Sequence, residues 1–201
     1  MKILALAFVA LTVLPAAAQE TAPDELVRKV TADVLAAVQS DKALQEGDRK
    51  KALALAEEKI LPHVDFREAT RLAVNRAWAS ATPAQQEQLV KEFRSMLVRI
   101  YSSAVDVYRG QAMRVLAVKL PPGATEATVR NQYLRPGQPP VPVEYAMRKT
   151  ADGWKIYDIM VEGVSLVLTY RSEFENVTRE SGVDGLIKRL AEKNRAPVSA
   201  R

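Results

Sequence analysis

Val141-Pro142-Val143-Glu144-Tyr145-Ala146-Met147-Arg148 is the stretch on which the fold turns. Val141, Val143, Tyr145 and Met147 alternate with Pro142, Glu144, Ala146 and Arg148. That two-residue period is the signature of a strand with one strongly apolar face and one polar face. Turn-forming residues bound it on both sides, Pro136-Gly137-Gln138-Pro139-Pro140 before and Ala151-Asp152-Gly153 after. Beyond these turns Glu126–Leu134 and Trp154–Val161 also read as strands, and Met113–Leu120 precedes them across Pro121-Pro122-Gly123. Short connections between successive strands predict an antiparallel meander of about four strands. Gly163 is read as its end.

On either side the period changes to that of helices. Pro23-Asp24-Glu25 opens one, with acids in the first turn where the helix dipole favours them, and Leu26, Val30, Val34 and Val38 mark its apolar stripe. A second helix is expected over Asp48–Ile60, a break at Leu61-Pro62-His63-Val64, and a third helix over Phe66–Val74. Thr82-Pro83-Ala84-Gln85 is a helix start, with Thr as N-cap and Pro at the first helical position. That helix is expected to run to about Tyr108 and stop at Gly110. Leu89, Phe93, Met96, Leu97, Ile100, Tyr101, Ala104 and Tyr108 give it a wide apolar stripe. After the sheet, Ser165 to about Glu180 is expected as helix, with Leu166, Val167, Tyr170, Phe174 and Val177 on one side. Gly182 stops it, and a last helix covers Asp184–Lys193. Residues 194–201 are expected to fray. Helices, a meander and further helices make an α+β class fold, one sheet packed against several helices in a single domain over residues 19–193.

The chain begins as an exported protein does. Lys2 is a positive n-region, Ile3–Leu14 an apolar run, and Ala16-Ala17-Ala18 a small-x-small cleavage signal, so residues 1–18 read as a cleavable signal peptide. The run is too short for a spanning helix, which needs about 20 apolar residues. With no cysteine there is neither a lipidation site nor a disulfide, so the domain must be held by its core alone. The net charge of +5, or +4 without Lys2, favours anionic partners. The absence of any run of four Lys or Arg argues against nucleic acid.

Chemistry is sparse. His63 is the only histidine, which leaves no two-histidine metal site, and its place in a helix break suits a structural or surface role. No phosphate-cradling glycine loop is present. Ser165, in Glu162-Gly163-Val164-Ser165-Leu166, lacks the second glycine of a nucleophile elbow and reads as a helix N-cap. Asp158 interrupts an apolar strand. It reads either as a lone catalytic acid or, as we favour, as a structural hydrogen-bonding group for backbone, Tyr or Arg.

Two blocks carry a family likeness. One is Ile60-Leu61-Pro62-His63-Val64-Asp65-Phe66 with Trp78, Ala81-Thr82-Pro83-Ala84-Gln85-Gln86 and Phe93. The other is Tyr157–Val167 with Tyr170-Arg171-Ser172-Glu173-Phe174 and Gly182-Val183-Asp184-Gly185-Leu186-Ile187 and Leu190. In this order they resemble the MlaC, or toluene-tolerance, family of periplasmic phospholipid-binding proteins. One departure is Val74-Asn75, where the family often has glycine; a local change is expected there. The resemblance implies a non-enzymatic, monomeric carrier with no cofactor and a phospholipid as cargo, shuttling across the periplasm. Its implied partners are the inner-membrane Mla ABC transporter complex and an outer-membrane lipoprotein–porin complex.

The resemblance also implies an apolar pocket between sheet and helices. Candidate lining residues are Phe93, Leu97, Ile100, Tyr101 and Ala104 on the long helix, Val141, Val143, Tyr145, Met147, Ile159 and Val161 on the strands, and Val164 just beyond them. Leu166, Val167, Tyr170 and Phe174 follow the sheet, while Asp158, Gly163 and Ser165 are structural. From periodicity alone these stripes read as ordinary core, and the resemblance turns some of them into lining. Two chains of about 16 carbons, at about 0.8 kcal/mol per CH₂, would cost on the order of 25 kcal/mol to expose, so such a carrier must bury most of them. A different class, an envelope adaptor or chaperone with a fully packed core and no ligand, is the alternative. A hydrolase built on Asp158 or Ser165 is a third reading.

Overall fold

Val141–Thr150 lies at the centre of a five-stranded antiparallel sheet. The strands are β1 Ala112–Val115, β2 Glu126–Leu134, β3 Val141–Thr150, β4 Gly153–Val161 and β5 Val164–Ser165, hydrogen-bonded in that order. The computed structural model describes residues 21–101, 112–134 and 137–195. The meander is as expected, with two departures at its edges.

The first is at Gly163, which turns the sheet back instead of ending it. Glu162 and Gly163 have φ of 51° and 81°, a two-residue turn with both φ positive, which matches the twist of the flanking strands. β5 follows, pairing Val164 with Val161 and Ser165 with Met160. The helix expected from Ser165 therefore starts later. Leu166 N–H donates to the Ile159 carbonyl, a 3₁₀ turn spans Leu168–Tyr170, and the helix proper begins at Arg171. Backbone groups already committed to the sheet are not available to a helix.

The second is β1, which ends at Val115, with one last backbone hydrogen bond from Leu116 N–H to the Arg130 carbonyl, instead of running to Leu120. The start of helix α1, Pro23–Ser40, draws the chain away. Arg28 donates to the Val115 carbonyl at 2.6 Å, and the buried Asp24 accepts from Val118 N–H at 3.4 Å.

The other helices among the described residues are α2 Lys42–Glu46, α3 Arg49–Lys59, α4 Phe66–Val74, α5 Arg76–Ser80, α6 Pro83–Tyr101 and α7 Arg171–Arg195. The sequence reading lacks α2 and α5, each five residues long. α2 is bracketed by an Asp41 cap, which accepts from the backbone N–H of Ala43 and Leu44, and by Gly47 at φ 95°. α6 starts as expected, with Thr82 and Gln85 each capping the other's backbone N–H. Its expected continuation to Tyr108 lies outside the described residues. In α7 the two expected helices are joined, with a kink at Gly182, where φ is 67°. The helix also takes in Asn194 and Arg195, expected to fray. Asn194 donates to Glu92 of α6 through both a backbone carbonyl, 2.9 Å, and a carboxylate, 2.8 Å.

Burial among the described residues falls into three clusters. One joins α4, α6 and α7 around Leu89, Phe93, Phe174, Leu186 and Leu190. A second joins the latter part of α1 to α2 and α3 through Val34, Val38, Leu44 and Leu55. The third lies where Val27 of α1 covers Ala127, Val129, Met147 and Trp154 on one sheet face. Among the described residues no helix is long and apolar enough to cross a membrane.

Candidate functional site

The register of the sheet decides which side chains share a face. Met147 pairs with Ala127, Tyr145 with Val129, Val143 with Asn131 and Val141 with Tyr133. Across the other edge of β3, Tyr145 pairs with Ile159 and Val143 with Val161. Alternation therefore puts all of these on one face. The face is covered unevenly. At one end Met147 and Val129 are fully buried beneath α1. At the other end Val141, Val143, Ile159 and Val161 are only half-buried, and none of the three clusters takes them in. An apolar strand face left half-open is what a fold keeps for a ligand or partner.

The last turn of α6 is joined to the segment that follows the sheet. Tyr170, in the turn after β5, is hydrogen-bonded to Tyr101 at the last turn of α6. Burial, and then that hydrogen bond, hold the Tyr170 phenol far above its usual value, so it is a neutral donor at any physiological pH. Tyr170 also stacks on Phe174 with centroids 5.7 Å apart, and meets the edge of Phe93 at 5.5 Å. The rings tie α6 and α7 together at this point. Near them Leu97 packs on the helical cluster, and Ile100 is 41% exposed.

The other sequence-derived candidates separate into three groups. Phe93, Val167 and Phe174 are closed into the helical cluster, and Met147 into the cluster under α1. Leu166 is half-buried, and Val164 is 60% exposed at the β4–β5 hairpin. Ala104 lies outside the described residues. Two clefts lie away from the open patch. One, of about 300 Å³, runs along Ala117–Leu120 and β2. The other, of about 510 Å³, is lined by Glu68, Arg71, Arg148 and Lys149 among others. Their walls are mostly polar and carry none of the candidate lining residues, so we locate the candidate site at the open apolar patch instead.

Asp158 and Ser165 form a staple. Asp158 Oδ1 accepts from the backbone N–H of Ile159 at 2.8 Å and of Val167 at 3.2 Å, and Oδ2 accepts from the Ser165 hydroxyl at 2.5 Å. Ser165 Oγ accepts in turn from Leu168 N–H at 2.8 Å, so it caps the 3₁₀ turn and not a long helix. Both carboxylate oxygens and the hydroxyl are spent on holding β4, β5 and the following turn together. His63 sits in the expected break; burial first, then Lys155 and Lys29, lower its pKa and keep it neutral. Among the described residues no three His, Cys, Asp or Glu side chains cluster as metal ligands would.

One residue the sequence reading passed over is Asn131. It is 2% exposed on the apolar face, where its β2 neighbours on that face are Val129 and Tyr133. A polar residue in the apolar phase of an alternating strand was the available signal.

Known proteins extend the likeness. The chain is 21% identical over 199 residues to the intermembrane phospholipid transport system binding protein MlaC of Haemophilus influenzae, covering 98% of this chain and 93% of that protein. It is 26% identical over 164 residues to the toluene tolerance protein ttg2D of Pseudomonas putida, covering 81% and 75%. A phospholipid-binding protein from Ralstonia solanacearum, solved in complex with a phospholipid, superposes with a TM-score of 0.76 at 34% identity, covering 87% of this chain and 97% of that one. The sequence profile described as MlaC protein matches residues 28–192, and the chain belongs to the MlaC family.

Proposed function

We propose that this protein is a periplasmic phospholipid carrier that loads its cargo's acyl chains against the half-buried patch of Val141, Val143, Ile159 and Val161. Tyr145, Leu97, Ile100, Tyr101 and Tyr170 are its flanking walls. Phe93, Phe174, Val167 and Met147 support those walls from behind. The observation that carries the reading is the uneven cover of one sheet face, in a chain 34% identical to a protein solved with a phospholipid bound. An apolar patch with no strong clamp holds lipid by burial, about as a bilayer does, and so permits release. The leader at residues 1–18 exports the chain, and it exchanges lipid with the inner-membrane Mla ABC transporter complex and the outer-membrane lipoprotein–porin complex. It does no chemistry on its cargo, since the Asp158–Ser165 pair serves the fold.

Native mass spectrometry of the protein purified from cells tests this. A co-purifying phospholipid mass, and uptake from labelled vesicles, are expected. Protein that is only ever apo and takes up nothing would sink the carrier reading in favour of an adaptor.

A further inference from the structure

Among the described residues, Asn131 is the one side chain on the apolar face whose hydrogen bonding is left incomplete in an informative way. Its amide nitrogen donates to two carbonyls, Val129 at 3.1 Å and Val143 at 3.3 Å. Those two acceptors fix which way the amide points, because turning it over would set oxygen against oxygen. The Oδ1 atom is then a buried acceptor with no partner. A buried polar group normally has one, and leaving it without costs the full loss of its hydration. The register puts Val143 directly across from it and Val115 on the other side. Asn131 therefore stands at the inner boundary of the open patch, between Val143 and the part of the face that α1 closes.

We propose that Asn131 is a specificity-determining residue of the carrier, its Oδ1 accepting a hydrogen bond from a donor on the bound lipid. This inference rests on the carrier reading. Only donor-bearing lipids can satisfy the acceptor: an ammonium or hydroxyl of the headgroup, or a free hydroxyl of the glycerol. A phosphatidylcholine with two esterified chains has none.

The test offers the full-length mature protein vesicles of phosphatidylcholine mixed with phosphatidylethanolamine or phosphatidylglycerol of identical chains. A separate arm offers phosphatidylcholine mixed with its lyso form. Native mass spectrometry reads the bound species. The expected result is a roughly three- to tenfold enrichment of at least one donor-bearing lipid, lost in Asn131→Leu. The first arm reports a headgroup donor and the second a glycerol hydroxyl. Uptake of all lipids alike by the wild type, or the same enrichment in Asn131→Leu, overturns the inference and leaves the carrier reading standing. No uptake of any lipid overturns both. Because the variant loses two strand contacts, a second measurement uses the wild type alone. The ¹³Cγ resonance of Asn131 should differ between protein loaded with the favoured lipid and with phosphatidylcholine. Identical resonances would refute the contact.

Discussion

Asn75 holds φ 55° and ψ −122° at the junction of α4 and α5, a conformation that only glycine adopts freely. This is the place where the family resemblance leads one to expect glycine. The chain meets the same backbone demand with a strained residue, partly offset by a 2.7 Å hydrogen bond from Asn75 to Glu175 of α7. Strain of this kind costs about 1–3 kcal/mol, against about 0.5–1 kcal/mol for the extra freedom glycine brings to the unfolded chain. Asn75→Gly should therefore raise stability by about 1 kcal/mol and Tm by roughly 2–4 °C in thermal denaturation. A fall in Tm would show that the Glu175 contact outweighs the strain. Asp158 makes the opposite case. In Asp158→Asn the new NH₂ group meets a Ser165 hydroxyl that already accepts from Leu168, so the hydroxyl hydrogen loses its acceptor. A loss of about 1–3 kcal/mol and altered lipid exchange are expected. If purified wild type showed reproducible esterase activity and the variant lost it, the structural role assigned to Asp158 would be wrong.

Between elements, the attachment of α4 to the sheet runs through Glu68. It accepts from Arg71 at 2.6 Å and from Arg148 of β3 at 2.8 Å. The Arg71 hydrogen bond first, then the nearby charge of Arg71 and Arg148, holds its carboxyl below the usual range. A carboxyl lowered on folding contributes stability in full above its unfolded value and loses it as pH falls through the folded one. The Tm deficit of Glu68→Gln should thus be largest near neutral pH and shrink as the pH falls through the carboxyl's lowered folded value, as followed by circular dichroism. A deficit independent of pH would mean that packing, and not charge, makes the attachment. The elements themselves were largely legible. Phe66–Val74 and Glu126–Leu134 have the bounds their patterns predict. Segments decided by distant partners were not: Ser165–Val167 reads as helix until Ile159 and Asp158 claim its backbone, and Ala117–Leu120 reads as strand until α1 pulls it aside. The site was legible to the same degree. Alternation identified Val143 and Met147 as one face, but nothing local says that α1 covers Met147 and leaves Val143 half-open. Val143→Trp tests that difference. Placed over open space, the ring should cut co-purified lipid by more than half while the far-UV circular dichroism stays unchanged. Unaltered lipid content would remove Val143 from the lining.

For the molecule as a whole, the open patch should make stability depend on cargo. Among the described residues, three separate clusters stabilise the fold, and none of them includes Val141, Val143, Ile159 or Val161, so the apo protein leaves apolar surface half-wet. A lipid that binds the folded chain and not the unfolded one stabilises it by RT ln(1 + [L]/Kd), about 2.7 kcal/mol at a hundredfold excess over Kd. In a domain of this size that corresponds to a Tm rise on the order of 5–10 °C. Protein stripped of lipid in detergent and returned to buffer should melt lower than protein as purified. Its Tm should then climb with the concentration of added phospholipid vesicles. The adaptor reading, with a core complete without ligand, requires the opposite: the same Tm before and after stripping, and no response to vesicles. Tyr170→Phe separates the patch from the helices behind it. It removes the hydroxyl that bonds Tyr101 and keeps the ring packed on Phe93 and Phe174. A carrier whose wall ends at that hydrogen bond should show a smaller lipid-dependent Tm rise with little change in the stripped protein's own Tm. An equal loss in both would place Tyr170 in the core and not in the wall.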